Sequence, residues 1–152
     1  MNLNQFNNLT ELFFHQSEKQ NPDNIFLEWL NTVNRKKFKW SETVLNIYKL
    51  AKILKQHVKE GDRVLLISEN RPEWFIADLA IMLAKAVTVP AYITYTADDY
   101  KYLIEDCEPA VVIVSNNTMH KKVEEIIKQK SFIKKVITFD IIPEANYQSK
   151  YV

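Results

Sequence analysis

Apolar residues along this chain follow two rhythms, one helical and one a continuous run of strand length, and their alternation predicts most of the elements. Leu9, Leu12 and Phe13 mark a short helix over Leu9–Ser17, stopped by the turn-forming cluster Asn21-Pro22-Asp23-Asn24. The runs Ile25–Trp29 and Lys37–Trp40, separated by the polar stretch Asn31–Lys36, predict an antiparallel hairpin with Phe38 and Trp40 buried on one face. Ser41 is then the expected N-cap of a helix carrying Val44, Ile47, Tyr48, Ala51, Leu54 and Val58 at helical spacing and ending near Gly61.

Beyond Gly61 the pattern changes. Val64–Ile67 is apolar at every position, as expected of a strand covered on both faces in a parallel sheet. Pro72 opens a nearly all-apolar helix running to Ala84, and Ala86–Val89 forms the next strand, ended by Pro90. Thr96-Ala97-Asp98-Asp99 reads as a capping box before a helix with Tyr100, Leu103, Ile104 and Cys107 on one face. Ala110–Val114 is a strand. Met119, Val123, Ile126 and Ile127 mark an amphipathic helix, and Val136–Phe139 closes the series. Four strands joined by helices imply right-handed βαβ crossovers, and hence an α/β parallel sheet with helices on both faces, preceded by a helix and a hairpin. The tail from Ile141 to Val152 has no clear period.

Composition narrows the chemistry. With 152 residues, 47% hydrophobic and 26% charged, the chain suits one globular domain with a sizeable core. Twenty basic and 19 acidic residues, interspersed, give a net charge of +1 and no electrostatic reason to expect nucleic acid or an anionic membrane as partner. Gly61 is the one glycine, where average usage would give roughly ten. Neither a Walker loop nor a dinucleotide fingerprint can be written with it, because both need several residues without Cβ close to the phosphates. One cysteine, Cys107, excludes an internal disulfide and a Cys-pair zinc site. That usage, an N-terminus without a secretory pattern and the lack of a membrane-length apolar run lead to an expected cytoplasmic location.

Few residues compete for a chemical role. His15, His57 and His120 lie apart without metal-ligand spacing, and a structural or solvent-facing role is expected of each. Cys107, on an apolar face, reads as a small hydrophobe. Asp98-Asp99 sit in a first helical turn, where negative charge suits the dipole, so capping is favoured over acid/base work; Glu105-Asp106 is the other acidic pair. Lys121-Lys122 and the basic run Lys128–Lys135 read as a solvated helix face. Arg71 lies where an apolar strand gives way to a Pro-started helix, the end of an open sheet at which ligands bind. The preferred reading is that Asn70 caps the helix while Arg71 and Glu73 form surface or interdomain pairs.

The block from Gly61 through Ser68-Glu69-Asn70-Arg71-Pro72-Glu73-Trp74, followed by Ala77–Ala80 and Ala86–Tyr92, resembles the amino-terminal part of AMP-forming acyl-CoA synthetases, long-chain fatty acid branch. Leu9–Glu18, Phe38–Glu42, Tyr102–Asp106 and Val111–Val114 extend the resemblance to about Leu9–Asp140. Residues 1–152 would then be a partial N-terminal synthetase domain with no second domain. The resemblance implies a parent enzyme that uses ATP and magnesium to make an acyl-adenylate, then passes the acyl group to coenzyme A. Fatty acid would be the substrate of the whole enzyme, and the rest of that enzyme would be this chain's partner. In the family the phosphate loop, the nucleotide contacts and the catalytic lysine lie downstream of this segment, so no catalytic, cofactor-binding or metal-ligating residue is assigned here. Two alternatives remain: a catalytically dead α/β interaction module, and a segment of an adenylating enzyme for another carboxylate. One departure stands out. Lys85 occupies a position where the family commonly has glycine, and a left-handed conformation there would cost a residue with Cβ roughly 1 kcal/mol or more.

Overall fold

The structure is a computed structural model that describes residues 5–30 and 35–141. In chain order it contains α1 (Leu9–Ser17), β1 (Ile25–Trp29), β2 (Lys36–Lys39), α2 (Trp40–Leu54), β3 (Arg63–Ile67), α3 (Pro72–Leu83), β4 (Val87–Ala91), α4 (Ala97–Cys107), β5 (Val111–Val114), α5 (Asn117–Lys128) and β6 (Lys135–Thr138). β1 and β2 form the antiparallel hairpin. The other four strands make a parallel sheet in the order β4-β3-β5-β6.

Alternation along each strand divides the core in two. Val64, Leu66, Val111 and Ile113 face a cluster with Phe13, Ile47, Leu54 and Ile81, which puts α1, α2 and α3 on that side. Leu65, Ile67, Val112 and Val114 face Tyr100, Ile104, Val123 and Ile127 of α4 and α5. β3 and β5 are therefore apolar at successive positions because both faces are covered, as the continuous runs imply. No helix among the described residues is long and apolar enough to cross a membrane.

The hairpin is joined to the first layer by aromatic rings. Phe26 stacks on Trp40 with centroids 3.7 Å apart, and Phe13 and Phe75 close around them. Trp40 is thus not a strand residue sharing a face with Phe38; it opens α2. Ser41 is not the cap either. Lys39 holds the N-cap position, its backbone N–H donating to the Glu42 carboxylate at 2.9 Å. The loop before β1 satisfies the next donors: Trp40 N–H reaches the Asn24 carbonyl at 3.0 Å, and Ser41 N–H and Oγ reach that of Pro22 at 3.1 and 2.9 Å. Tertiary carbonyls have replaced a side-chain cap. α2 also stops at Leu54, short of Gly61.

Pro90 lies inside β4 rather than ending it, in register with Leu66. The backbone directions explain why. Val87 N–H donates to the Asp62 carbonyl at 2.9 Å, so in a parallel ladder Val87, Val89 and Ala91 turn toward β3 while Thr88 and Pro90 turn outward. β4 is an edge strand, and the missing N–H of proline falls on its open side.

Lys85 has a φ of 64°, in the left-handed region. It follows the Ala84 C-cap, with Lys85 N–H on the Met82 carbonyl at 2.9 Å and Ala86 N–H on that of Ile81 at 3.1 Å. This is a complete Schellman stop, the motif that most often employs glycine at this position.

Candidate functional site

In the order β4-β3-β5-β6, β3 connects through α3 toward one edge and β5 connects through α5 toward the other. The switch in direction opens a crevice at the carboxyl ends of β3 and β5, the place where open α/β sheets bind ligands. Ser68, Glu69 and Asn70 leave β3 there, and Ser115 and Asn116 leave β5.

A cavity of about 450 Å³ lies against this edge, lined by Ser68, Glu69, Asn70, Trp74, Pro90, Ala91, Tyr92 and Ile93. Its floor is polar and its walls are apolar or aromatic. Asn116 caps α5 by accepting Met119 N–H at 3.0 Å, and its amide donates to Glu69 Oε1 at 2.8 Å. Glu69 Oε2 and Ser115 Oγ are both buried, and the Ser115 side chain is one of the groups that stabilise the carboxylate. Burial works to raise the Glu69 pKa, yet Ser115, the residue's own N–H, Asn116 and the Arg71 charge outweigh it and leave the carboxyl below its ordinary value.

The loop between β4 and α4 forms the wall opposite. Its carbonyls are held from below: the fully buried Tyr100 donates its hydroxyl to that of Tyr92 at 2.7 Å, and Lys122 Nζ reaches those of Ile93 at 2.6 Å and Tyr95 at 3.3 Å. Lys122 is therefore not part of a solvated helix face. Other members of the basic run are engaged as well. Lys128 pairs with Glu124 and Glu125, Lys130 with Glu105, and Lys134 with Asp62, while Lys135 is buried. Sequence periodicity missed this because it reports which face of a helix is apolar, not which loop a long side chain will reach.

Arg71 does stand at the sheet's ligand edge, but its donors point elsewhere. Nε donates to Glu73 at 2.9 Å, and Nη1 and Nη2 reach the two Asp140 oxygens at 3.2 and 2.9 Å. The guanidinium lies 4.6 Å from the Trp29 ring and 5.6 Å from that of Phe139. The expected Arg71–Glu73 pair is present, though it is buried rather than on the surface, with the Arg71 side chain 5% exposed. Asn70 does not cap α3. Arg71 occupies the N-cap position and supplies no side-chain cap, Pro72 having removed one of the donors that would need it.

The remaining candidates are dispersed. Thr96 and Asp99 form the capping box, with Thr96 N–H on Asp99 Oδ2 at 2.9 Å. Burial raises the Cys107 thiol, and burial lowers His57 and His120. Among the described residues no group of three His, Cys, Asp or Glu side chains could hold a metal ion.

These features fit poorly with a bound triphosphate and magnesium. The cavity floor carries a carboxylate, the bordering cations Arg71 and Lys122 are engaged within the protein, and no glycine approaches the edge. The profile described as AMP-binding enzyme matches residues 13–151. The chain belongs to the AMP-binding enzyme family.

The curated relatives are much longer than the segment that matches them. Over 69 residues, 45% of this chain, it is 38% identical to the long-chain-fatty-acid–CoA ligase FadD15 of Mycobacterium tuberculosis and spans 12% of that protein. It is 33% identical over 89 residues to fatty acyl-CoA synthetase A of Dictyostelium discoideum, covering 58% of this chain and 13% of that one. A longer match, 123 residues at 24% identity, joins 77% of this chain to 17% of the ligase ACSBG1 of Rattus norvegicus. Among solved structures, coronafacic acid ligase from Pectobacterium brasiliense superposes with a TM-score of 0.80 at 20% identity, over 93% of this chain and 27% of that one. The anthranilate CoA ligase AuaEII, in complex with anthranoyl-AMP, gives 0.68 at 20% identity, over 75% and 22%. At that identity the superpositions establish the fold alone. This member of the AMP-binding enzyme family thus spans between 12% and 17% of these curated relatives and about a quarter of the solved ligases.

Proposed function

We propose that this chain is the amino-terminal part of the large domain of an AMP-forming long-chain fatty acid–CoA ligase. The whole enzyme would activate a carboxylate with ATP and magnesium as the acyl-adenylate and then form the coenzyme A thioester, in the cytoplasm. The chain's share of that work is structural. It supplies a four-stranded portion of the sheet and the switch-point edge, while the groups that neutralise phosphate charge and orient the carboxylate come from the rest of the polypeptide.

The observation that carries this reading is the family match over residues 13–151 together with relatives that are fatty acyl ligases many times longer than the matched segment. The cavity supports the division of labour, because an anionic floor repels the phosphates and carboxylates on which the chemistry acts. The test is a chimera in which residues 9–140 replace the matching segment of FadD15. Pyrophosphate release dependent on oleate is expected from the chimera, and none from FadD15 lacking the segment or from this chain alone. Acyl-adenylate formed by the isolated chain, or a folded chimera without activity, would overturn the proposal.

A further inference from the structure

Glu69 borders the crevice, yet its oxygens turn to the protein rather than to the space beside them. Oε1 accepts the Asn116 amide at 2.8 Å, and Oε2 has no accessible surface. The Ser115 side chain, itself fully buried, is another of the groups that stabilise the carboxylate. One carboxylate leaving β3 thus grips the two residues that follow β5. Hydrogen bonds to an ionised acceptor are roughly twice as strong as neutral ones, so this grip is firm.

The contact belongs to a wider circuit. The Asn116 side chain is engaged at both ends, because its oxygen accepts Met119 N–H at 3.0 Å as the cap of α5. Glu69 therefore fixes which way the cap faces. Ser115 N–H donates to the Ile67 carbonyl at 3.0 Å, and the Ser115 carbonyl accepts Asp140 N–H at the same distance. Asp140 returns the path to the loop after β3 through its carboxylate, which accepts from Arg71. The ends of β3, β5 and β6 are closed into one ring of polar contacts, at the edge where open sheets present their ligands.

We infer that Glu69 is a positioning residue: through Asn116 and Ser115 it holds the loops after β3 and β5 in one geometry, and in the whole enzyme that geometry sets the crevice against the groups supplied by the rest of the polypeptide. It touches no reacting atom. The second half of this inference rests on the ligase reading, and the first half stands without it.

Asn116→Asp separates positioning from capping. Aspartate caps a helix as well as asparagine does, so α5 keeps its start, but the new carboxylate faces that of Glu69 and the two repel. Glu69→Gln alone should cost less, since its carbonyl still accepts the Asn116 amide. Combining Glu69→Gln with Asn116→Asp restores the contact with donor and acceptor exchanged. In the isolated chain, with native fold checked by circular dichroism, the backbone amide NMR shifts of Ser68 to Asn70 and of Ser115 to Asn117 should move together in Asn116→Asp and return in the double variant. In the FadD15 chimera, Asn116→Asp should lower kcat for oleate-dependent pyrophosphate release by about tenfold to a hundredfold, as misplacement by an ångström does, with KM for oleate little changed. The double variant should recover to within about twofold of the parent chimera. Shifts confined to α5, an active chimera indifferent to Asn116→Asp, or single-variant losses that simply multiply in the double variant would each overturn the inference. A parent chimera without activity removes the ligase reading instead, and the NMR shifts still decide whether Glu69 couples the two loops.

Discussion

Arg71 and Asp140, 69 positions apart, meet through two hydrogen bonds of 2.9 and 3.2 Å. The contact ties the segment that leaves β6 to the start of α3, and Trp29 of the hairpin stacks on the same guanidinium. An arginine at the sheet's ligand edge is thereby a clamp between three parts of the chain.

Removing that clamp is costly because its partners stay behind. Arg71→Ala should destabilise the chain by about 3 kcal/mol, the low end for breaking a buried ion pair by deleting one partner. Asp140→Asn should cost only about 1 kcal/mol, since its side chain is half exposed and screened by water. Urea denaturation of the three proteins checks both the order and the gap. Equal effects would show that burial of the guanidinium is not what matters.

Glu73 gives this cluster a pH dependence. Burial raises its pKa, but hydrogen bonds from Arg71 and Lys36 win and bring it from an ordinary 4.5 to about 2. A depressed native value means that the native state favours the carboxylate. Its contribution is complete above 4.5 and is lost as pH falls through that value toward 2. At neutral pH Glu73→Gln should be about 1 to 2 kcal/mol less stable than the parent, after allowance for solvent screening, and the gap should close in acid. Stability curves of the pair across acid pH supply the measurement, and a gap that stays constant would contradict it.

Lys85 holds a left-handed conformation that glycine adopts without strain. Its ion pair with Glu60, at 3.0 Å, has both side chains well exposed and so offsets little. Lys85→Gly should stabilise the chain by about 0.5 to 1 kcal/mol, raising Tm by about 1 to 4 °C. Thermal unfolding decides it; a lowered Tm would mean that the lysine stem packs to an advantage its φ does not reveal.

Pro90 protects the open edge of β4. Pro90→Val restores an outward N–H in a strand whose flank already exposes Val87, and should promote edge-to-edge association. Sedimentation velocity across a concentration series should find the parent unchanged and the variant shifting to larger species. A variant that stays as dispersed as the parent would show that the edge is guarded by something other than the missing donor.

Much of the architecture was legible because burial on two faces writes itself into composition. Val64–Ile67 and Ala110–Val114 are apolar without a break, and Thr96 with Asp99 announces a helix start by chemistry that acts over three residues. Errors gathered where a distant segment replaced a local partner. Ser41 is a plausible cap until the Pro22 and Asn24 carbonyls arrive, and Asn70 is one until Pro72 and the pairing of Arg71 make it unnecessary. The polar stretch at residues 31–34 and the unpatterned tail at 142–152 lie outside the described residues.

By itself the sequence determined the strand-and-helix alternation and the parallel sheet, because both depend on local pattern, and its resemblance to acyl-CoA synthetases pointed to the family that the match over residues 13–151 shows. Only the tertiary structure decided what Arg71, Lys122 and Glu69 do. Long side chains can reach partners tens of residues away, and which partner wins is set by the crevice that strand order creates.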